Sequence, residues 1–456
     1  MQEFDAIIIG TGQAGPSIAA RFAAEGKKTA IIERKLFGGT CVNNGCTPTK
    51  ALVASARSAH MARRAADFGV NIEGSISIDM KAVKARKDAI VNQSTTGVEN
   101  WLKNTKNMTV FEGHARFEGP NTVSVGDQIL KADQIFINVG GRAVVPEGFK
   151  DVKHLTNSTI MDVDFVPKHL IIVGGSYIGL EFGQMYRRFG SEVTIIDRGD
   201  RLVRREDEDV SDEIKKILED EGIKFRFEAD CLSARMQDDQ VVVNVDCQNG
   251  DNEIIGSHLL LAVGRNPNTH DLGLEKAGIA TDKRGYIEVD DHLQTNVKGV
   301  YALGDCNGQG AFTHTAYNDF EIVAAIIFDN DPRKVSDRIL CYGLFIDPAL
   351  GRIGITETEA RKSGKKVLMG VRTMKRIARA KEKGETYGFM KILVDAETDK
   401  ILGATILGIE GDEIIHSLLD IMYADAPYTV IQRAVHIHPT VSELIPTTLA
   451  ELKPLI

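Results

Sequence analysis

The apolar positions of this chain fall into a repeated order. Phe4 to Ile9 is a short β-favouring run, followed by the turn Gly10-Thr11-Gly12-Gln13-Ala14-Gly15 and a helix-prone stretch from Ser17 to Glu25. A second apolar run, Thr29 to Ile32, ends on Glu33. The same order returns near residue 170: strand His169 to Val173, turn Gly174-Gly175-Ser176-Tyr177-Ile178-Gly179, a helix to about Phe189, strand Glu192 to Ile196, then Asp197. Each unit reads strand, glycine-rich turn, helix, strand. The spacing from first glycine to closing acid is the same in both units, which makes the pair a far stronger signal than either alone.

Between the repeats lie amphipathic helical stretches (Ala51 to Phe68, Met80 to Lys103) and a β-rich passage from Val110 to Val139. That passage closes on Gly140-Gly141-Arg142, and its counterpart after the second unit closes on Gly264-Arg265. Val300 to Asp305 is a third strand ending in glycine and an acid. After about residue 336 the pattern changes. Tyr342 to Ile355 and Gly388 to Ile409 read as antiparallel strands followed by helices, a third, α+β unit.

Composition narrows the class. The 456 residues suggest about three domains. A net charge of −9 argues against a coat for nucleic acid or anionic membrane. No apolar stretch approaches a transmembrane span, and the acidic start is no secretory signal. Six cysteines in this length do not make a disulfide scaffold, so a reducing, cytoplasmic setting is expected.

The glycine turns carry chemistry. Glycines let the backbone approach a pyrophosphate, which sits on the unpaired N–H groups and positive dipole end of the following helix. The acid closing the next strand accepts from a ribose hydroxyl. Two such units predict two dinucleotides. Directly after the first comes Gly38-Gly39-Thr40-Cys41-Val42-Asn43-Asn44-Gly45-Cys46-Thr47-Pro48-Thr49-Lys50. On a regular helix, residues five apart have Cα atoms about 8–9 Å apart, beyond the roughly 7 Å a disulfide tolerates. A bridge therefore needs a distorted turn, for which Asn43-Asn44-Gly45 is suited; two unlinked thiols are the other reading. Lys50 falls one turn beyond Cys46 on the same face, where a cation favours a thiolate. Near the C-terminus, His438 and Glu443 offer a base and a carboxylate to orient it. Thr440-x-x-Glu443 is also a capping box, and His436 shares the facing of His438. Both alternatives stay open at this stage. Cys231, Cys247, Cys306 and Cys341 read as small hydrophobes, Trp101 as packing, and Lys81 to Lys87 as a solvated helix face. No metal-ligand spacing stands out.

Together the two glycine units, Gly-Gly-Thr-Cys-x4-Cys-x-Pro-x-Lys, Ala-Leu-Gly-Asp and the terminal His-Pro-Thr-x-x-Glu resemble the FAD-dependent pyridine-nucleotide disulfide oxidoreductases over essentially the whole chain. Glutathione reductase, dihydrolipoamide dehydrogenase and mercuric reductase are members. The resemblance implies an α/β fold of two Rossmann-like dinucleotide-binding domains plus a C-terminal α+β dimerisation domain. The implied boundaries are 1–147 for the first part of the FAD domain, 148–268 for the NAD(P) domain, 269–336 for the returning FAD part and 337–456 for the interface domain. It implies a homodimer that reduces a small-molecule or protein disulfide with NAD(P)H, without nucleic acid or membrane partners.

Carried over by residue, the resemblance puts Gly10, Gly12, Gly15, Glu33, Thr40, Ala115, Gly140 and Asp305 around FAD. Gly174, Ser176, Tyr177, Gly179, Asp197, Arg198 and Gly264 would surround the nicotinamide nucleotide. Lys50 and Glu181 would pair beside the flavin, with Tyr177 gating the nicotinamide pocket. Cys46 would be the flavin-side thiol, Cys41 the interchange thiol, and His438 with Glu443 the base contributed by the partner subunit. Ser176 departs from the fingerprint's second glycine. Asp197 favours NADH by repelling a 2′-phosphate, while Arg198, Arg201, Arg204 and Arg205 keep NADPH open. The absence of a C-terminal cysteine pair and the presence of His438 speak against dedicated mercury reduction. Two alternative outputs are a soft metal ion, quinone or reactive oxidant as acceptor, and a slow-turnover flavin redox sensor.

Overall fold

A computed structural model describes residues 1–246 and 251–455, with 230–232 and 246 as backbone only. Cys247 and the Cys231 side chain, two of the four cysteines read as small hydrophobes, lie outside the described residues. Cys306 is buried and Cys341 half-buried, in keeping with that reading.

The first sheet runs Met108–Glu112, Thr29–Glu33, Gln2–Ile9, Gln128–Ile137, all parallel. Val300–Ala302 joins the C-terminal half of the last strand in parallel, and an antiparallel meander, Thr122–Val125 and Ala115–Gly119, joins its N-terminal half. The unbroken Ile7-Ile8-Ile9 run has its physical reason here. Ile7 and Ile9 pack with Phe111 and Phe117 on one face, and Ile8 with Ile18 and Phe22 on the other. Helix Gly15–Ala24, started by Pro16, crosses over to the next parallel strand.

The second sheet repeats the plan: Lys224–Arg226, Glu192–Ile196, His169–Val173 and His258–Leu261, all parallel, with helix Tyr177–Phe189 as the crossover. The two α/β units are joined by a ribbon in which Gly141–Ala143 pairs antiparallel with Arg265–Pro267. Gly140 (φ +62°) and Gly264 (φ +123°) introduce its two strands, a backbone region other residues rarely adopt.

The third unit is a six-stranded antiparallel sheet ordered Cys341–Leu344, Leu350–Gly354, Ile401–Leu407, Phe389–Asp395, Val367–Thr373, Lys453–Pro454. The two last-named strands lay hidden in the sequence pattern, one among lysines and the other only two residues long. The fold is thus α/β with two Rossmann-like units and a C-terminal α+β unit. No helix among the described residues is long and apolar enough to cross a membrane.

Two expectations need correction. Lys87 is buried rather than solvated: its Nζ donates to the Met161 carbonyl at 2.8 Å, and Asp88 lies beside it. Trp101 is exposed rather than core packing.

Candidate active site

The two glycine turns solve one steric problem twice. A Cβ on Gly10 would lie 2.3 Å from the Asn138 carbonyl oxygen, and one on Gly174 would lie 2.4 Å from that of Ala262. Gly15 and Gly179 face the carbonyls of Gly10 and Gly174 at 2.2 and 2.0 Å by the same measure. Each closing acid reaches back to its turn. Glu33 Oε2 accepts from Thr11 N at 3.0 Å and Thr11 Oγ1 at 2.5 Å, and Asp197 Oδ2 accepts from Gly175 N at 2.7 Å. Their other oxygens accept from Arg34 N and Lys35 N, and from Gly199 N.

Both turns suit a dinucleotide phosphate. Neither following helix has an acidic residue in its first turn or an N-cap residue that caps it with its own side chain, although Asn138 Oδ1 accepts the first N–H of the first helix, that of Gly15. Ser176 is the residue before the second helix, exposed and in extended backbone. Arg198 is exposed next to Asp197. Along the first groove, Ala115 is buried behind His114, whose Nε2 lies 3.1 Å from the Asp271 carbonyl. A cavity of about 710 Å³ opens against Gly113 and His114, well apart from the cysteines. Asp305 lies 3.4 Å from the Arg265 guanidinium, and burial raises its carboxyl pKa.

The cysteine segment contains the break its spacing demands. Helix Gly39–Asn44 stops at Gly45 (φ −131°, ψ −118°), and a new helix, Cys46–Arg63, begins at Cys46. A Cβ on Gly45 would sit 2.7 Å from the Thr40 carbonyl oxygen, so only glycine lets the two helix ends close. Cys41 and Cys46 stand as free thiols within hydrogen-bonding reach of each other.

Their ionisations are driven apart. The hydrogen bond from Cys41 lowers the Cys46 pKa most, Thr313 and the Lys50 charge add to it, and together they outweigh burial. Thr313 Oγ1 lies 3.2 Å from Cys46 Sγ. Cys46 also occupies the first position of its helix, where the dipole favours an anion. The same hydrogen bond and burial push the Cys41 thiol up.

Lys50 Nζ pairs with Glu181 Oε2 at 2.7 Å and lies 4.1 Å from the centre of the Phe345 ring. Tyr177, at the start of the second cradle's helix, meets Phe312 and Tyr342 edge-on at 6.1 and 5.5 Å between centroids. Burial raises its phenol pKa to about 12.

At the C-terminus, His438 Nδ1 is 3.0 Å from both Glu443 oxygens, and the imidazole is 75% exposed. Glu443 does not close a capping box: the last helix begins only at Leu444, so the Glu443 N–H bond to Thr440 Oγ1 at 3.2 Å belongs to the turn before it, and the carboxylate faces His438. His436 Nδ1 instead lies 3.1 Å from its own chain's Ala434 carbonyl. Val435 and Ile437 beside them are almost fully exposed. An acidic group, Asp207, Asp209 and Glu357, converges elsewhere, but Lys391 Nζ sits within 2.8–3.2 Å of all three.

Residues that the motifs did not flag complete the site. Asn138 holds the first cradle, Thr313 touches Cys46, and Phe312 and Tyr342 wall in Tyr177. Thr313 opens a twelve-residue helix after a glycine-rich loop, which was the one available signal.

Comparison with known proteins agrees with this architecture. The pyridine nucleotide-disulphide oxidoreductase family model matches residues 4–319, and the dimerisation domain of that family matches residues 341–449. The chain belongs to this family of FAD-dependent enzymes, which act on sulfur groups with NAD(P)H, and the second match supports a homodimer. It is 34% identical over 453 residues to the probable pyridine nucleotide-disulfide oxidoreductase RclA of Escherichia coli (strain K12), covering 97% of this chain and 98% of that one. It is 33% identical to a dihydrolipoyl dehydrogenase of Thermus scotoductus, covering 97% and 96%. Among solved structures, the Cu(II) complex of the HOCl-induced flavoprotein disulfide reductase RclA from Escherichia coli superposes with a TM-score of 0.89 at 32% identity, covering 99% of both chains.

Proposed function

We propose that this enzyme takes two electrons from NADH through FAD to the Cys41–Cys46 pair and on to a disulfide substrate, in a site shared by two subunits. Bound at the first cradle, FAD supplies the carrier between a two-electron hydride donor and sulfur. The chain's own residues do the rest. The first cradle, with Glu33, Thr40, Ala115, Gly140 and Asp305, holds and orients the flavin nucleotide. The second, with Gly174, Ser176, Gly179, Asp197, Arg198 and Gly264, would hold the nicotinamide nucleotide, with Tyr177 as the gate of its pocket.

On the sulfur side, Cys46 stays ionised next to the Lys50–Glu181 pair, and Cys41 stays protonated until a base removes its proton. The partner's His438, oriented by the partner's Glu443, is that base. Cys41 then attacks the substrate disulfide, and the imidazolium returns the proton to the first departing thiolate. The Cys46 thiolate attacks the mixed disulfide at Cys41, closing the Cys41–Cys46 bridge and expelling the second half as a thiolate that takes its proton from water. Asp197 keeps a lone pair on each oxygen for ribose hydroxyls, which supports NADH over NADPH. The cysteine usage supports a reducing cytosol as the compartment.

The observation that carries this reading is the break at Gly45, which brings Cys41 and Cys46 within hydrogen-bonding reach and sets Cys46 at a helix N-terminus, 3.2 Å from Thr313 and one turn before the Lys50–Glu181 pair. Replacing Cys41 with serine is expected to abolish disulfide turnover while NADH still reduces the bound flavin. Loss of both, with FAD retained, contradicts the assignment. A second reading follows from the Cu(II) complex of the similar RclA structure. The same two soft sulfur ligands would pass electrons to a soft metal ion such as copper. Turnover with Cu(II) and none with a panel of disulfides would favour it.

A further inference from the structure

Three elements meet along one line beside the redox centre. Glu181, Gln184 and Arg188 lie on one face of helix Tyr177–Phe189, and all three grip the segment Phe345 to Asp347 of the C-terminal unit. Glu181 Oε1 accepts from Phe345 N at 3.1 Å. Gln184, itself buried, accepts from Asp347 N at 2.7 Å and donates to Asp347 O at 2.8 Å. Arg188 donates to Asp347 Oδ2 at 2.6 Å. From the other side, Lys50 and Arg57 of helix Cys46–Arg63 reach the same segment. Lys50 lies over the Phe345 ring and Arg57 pairs with the Asp347 carboxylate. One carboxylate thus ties the cysteine-bearing helix to the helix of the second cradle.

We propose that Asp347 is a positioning residue for the redox centre: by holding Arg57 and Arg188 together it seats Phe345 against Glu181 and Lys50, and so keeps the lysine charge beside the Cys46 sulfur. Asp347 touches neither sulfur nor cofactor and acts only through these neighbours. The proposal rests on the reading of Cys46 as the thiolate of the pair.

The surroundings support a charged Asp347. Burial pushes its carboxyl up, but Arg188 and Arg57 outweigh burial and hold it below the usual carboxylate range. Glu221 and Glu385 back the two arginines, at 2.7 and 2.5 Å, and His60 lies within range of Asp347, Arg188 and Glu221. The groups facing Cys46 are Cys41, Thr313, Lys50 and Glu181. Loosening the segment leaves the first two in place and takes the Phe345 contacts away from the Lys50–Glu181 pair.

The test is a pH titration of the long-wavelength thiolate–flavin absorbance in the two-electron-reduced holoenzyme. In Asp347→Asn the half-point is expected to move to higher pH by about half to one pH unit, a three- to tenfold loss of thiolate on the acid side. Arg57→Gln, at a partly exposed position that spares the buried arginine, should move it the same way by less. Glu385→Gln, which takes a carboxylate from Arg57 without touching the Phe345–Asp347 segment or the residues of helix Tyr177–Phe189 that grip it, should leave it in place. Wild-type titration in both Asp347→Asn and Arg57→Gln overturns the proposal, as does an equal shift in all three variants, which would mark a merely structural network. A flavin-loaded wild type with no such band at any pH overturns the underlying reading of Cys46, and the proposal with it.

Discussion

The buried carboxamide of Asn138 fastens the first cradle to the strand beyond it: Oδ1 accepts the Gly15 N–H at 3.0 Å while Nδ2 donates to the Leu303 carbonyl at 2.8 Å. Gly15 opens the helix that follows the first glycine turn, and Leu303 precedes the Gly304-Asp305 pair at the other side of the groove. One side chain therefore sets the spacing of both walls. Asn138→Leu would orphan two buried backbone groups, at about 1–3 kcal/mol each. The expected outcome is a lower thermal midpoint together with a lower flavin-to-protein absorbance ratio. Unchanged flavin content would mean the groove keeps its width without this tie.

The duplicated cradle allows the two nucleotide sites to be damaged separately. In Gly12→Ala the new methyl meets Asn138 Oδ1 at 2.7 Å, so the protein is expected to purify with little FAD. In Gly179→Ala the methyl meets the Gly174 carbonyl at 2.0 Å, and the yellow protein should retain FAD but lose tight NADH binding. A rise in KM for NADH of tenfold or more, with normal flavin content, is the result to look for in the second variant. Equal loss of FAD in both would argue against separate sites.

Cys46 and Lys50 make a prediction in pH. A thiol whose ionised form is favoured stays a thiolate below the ordinary thiol pKa of about 8.5 and is lost only as pH falls through its lowered value. The thiolate absorbance of reduced enzyme should therefore survive at neutral pH and fade on acidification. Removing the cation in Lys50→Met should move that fading to higher pH. Cys41 is displaced in the opposite sense, so it should not add a second thiolate over the same range.

How much of this was legible beforehand follows from what each feature requires. The cradles were readable because tight turns admit only glycine and the acid must fall at a fixed strand length beyond them. The cysteine spacing foretold a broken helix, and the break at Gly45 is where the carbonyl of Thr40 leaves no room for a side chain. Asn138 was invisible because its role is purely tertiary: it ends one strand and serves turns on either side. Thr313 and Tyr342 arrive from remote segments, and no local spacing connects them to Cys46 or Tyr177. Lys87 was misread because a charge run looks solvated until a neighbouring carbonyl, here that of Met161, is brought over it.

The proposed role of Asp197 makes a prediction about which nucleotide is used. Its two oxygens each accept one backbone N–H at 2.7 Å, from Gly175 and Gly199, and so present their remaining lone pairs in fixed directions. A 2′-phosphate placed there would meet a carboxylate. Asp197→Ser should lower the kcat/KM for NADH and raise that for NADPH, with Arg198 and Arg204 close by to receive the phosphate. An NADPH preference already present in the wild type would refute this role for Asp197.

The most decisive prediction concerns which subunit supplies the base. His438 keeps Nδ1 on its own Glu443, and its ring is largely exposed, next to the exposed Val435 and Ile437. Neither cysteine of its own chain is among its described partners. General acid–base catalysis contributes roughly 10²–10⁴-fold, so His438→Ala should slow disulfide turnover by about that factor without slowing flavin reduction by NADH. Glu443→Gln should cost less, because the ring loses orientation rather than its proton-carrying nitrogen. Each single variant, Cys41→Ser or His438→Ala, is inactive as a homodimer under this scheme. If the base comes from the partner, a mixed dimer of the two variants contains one intact site, combining Cys41 of one chain with His438 of the other. Unfolding the two together and refolding should then restore about half of the activity per heterodimer. If the base acts within its own chain, every site in the mixed dimer carries one lesion, and no activity returns.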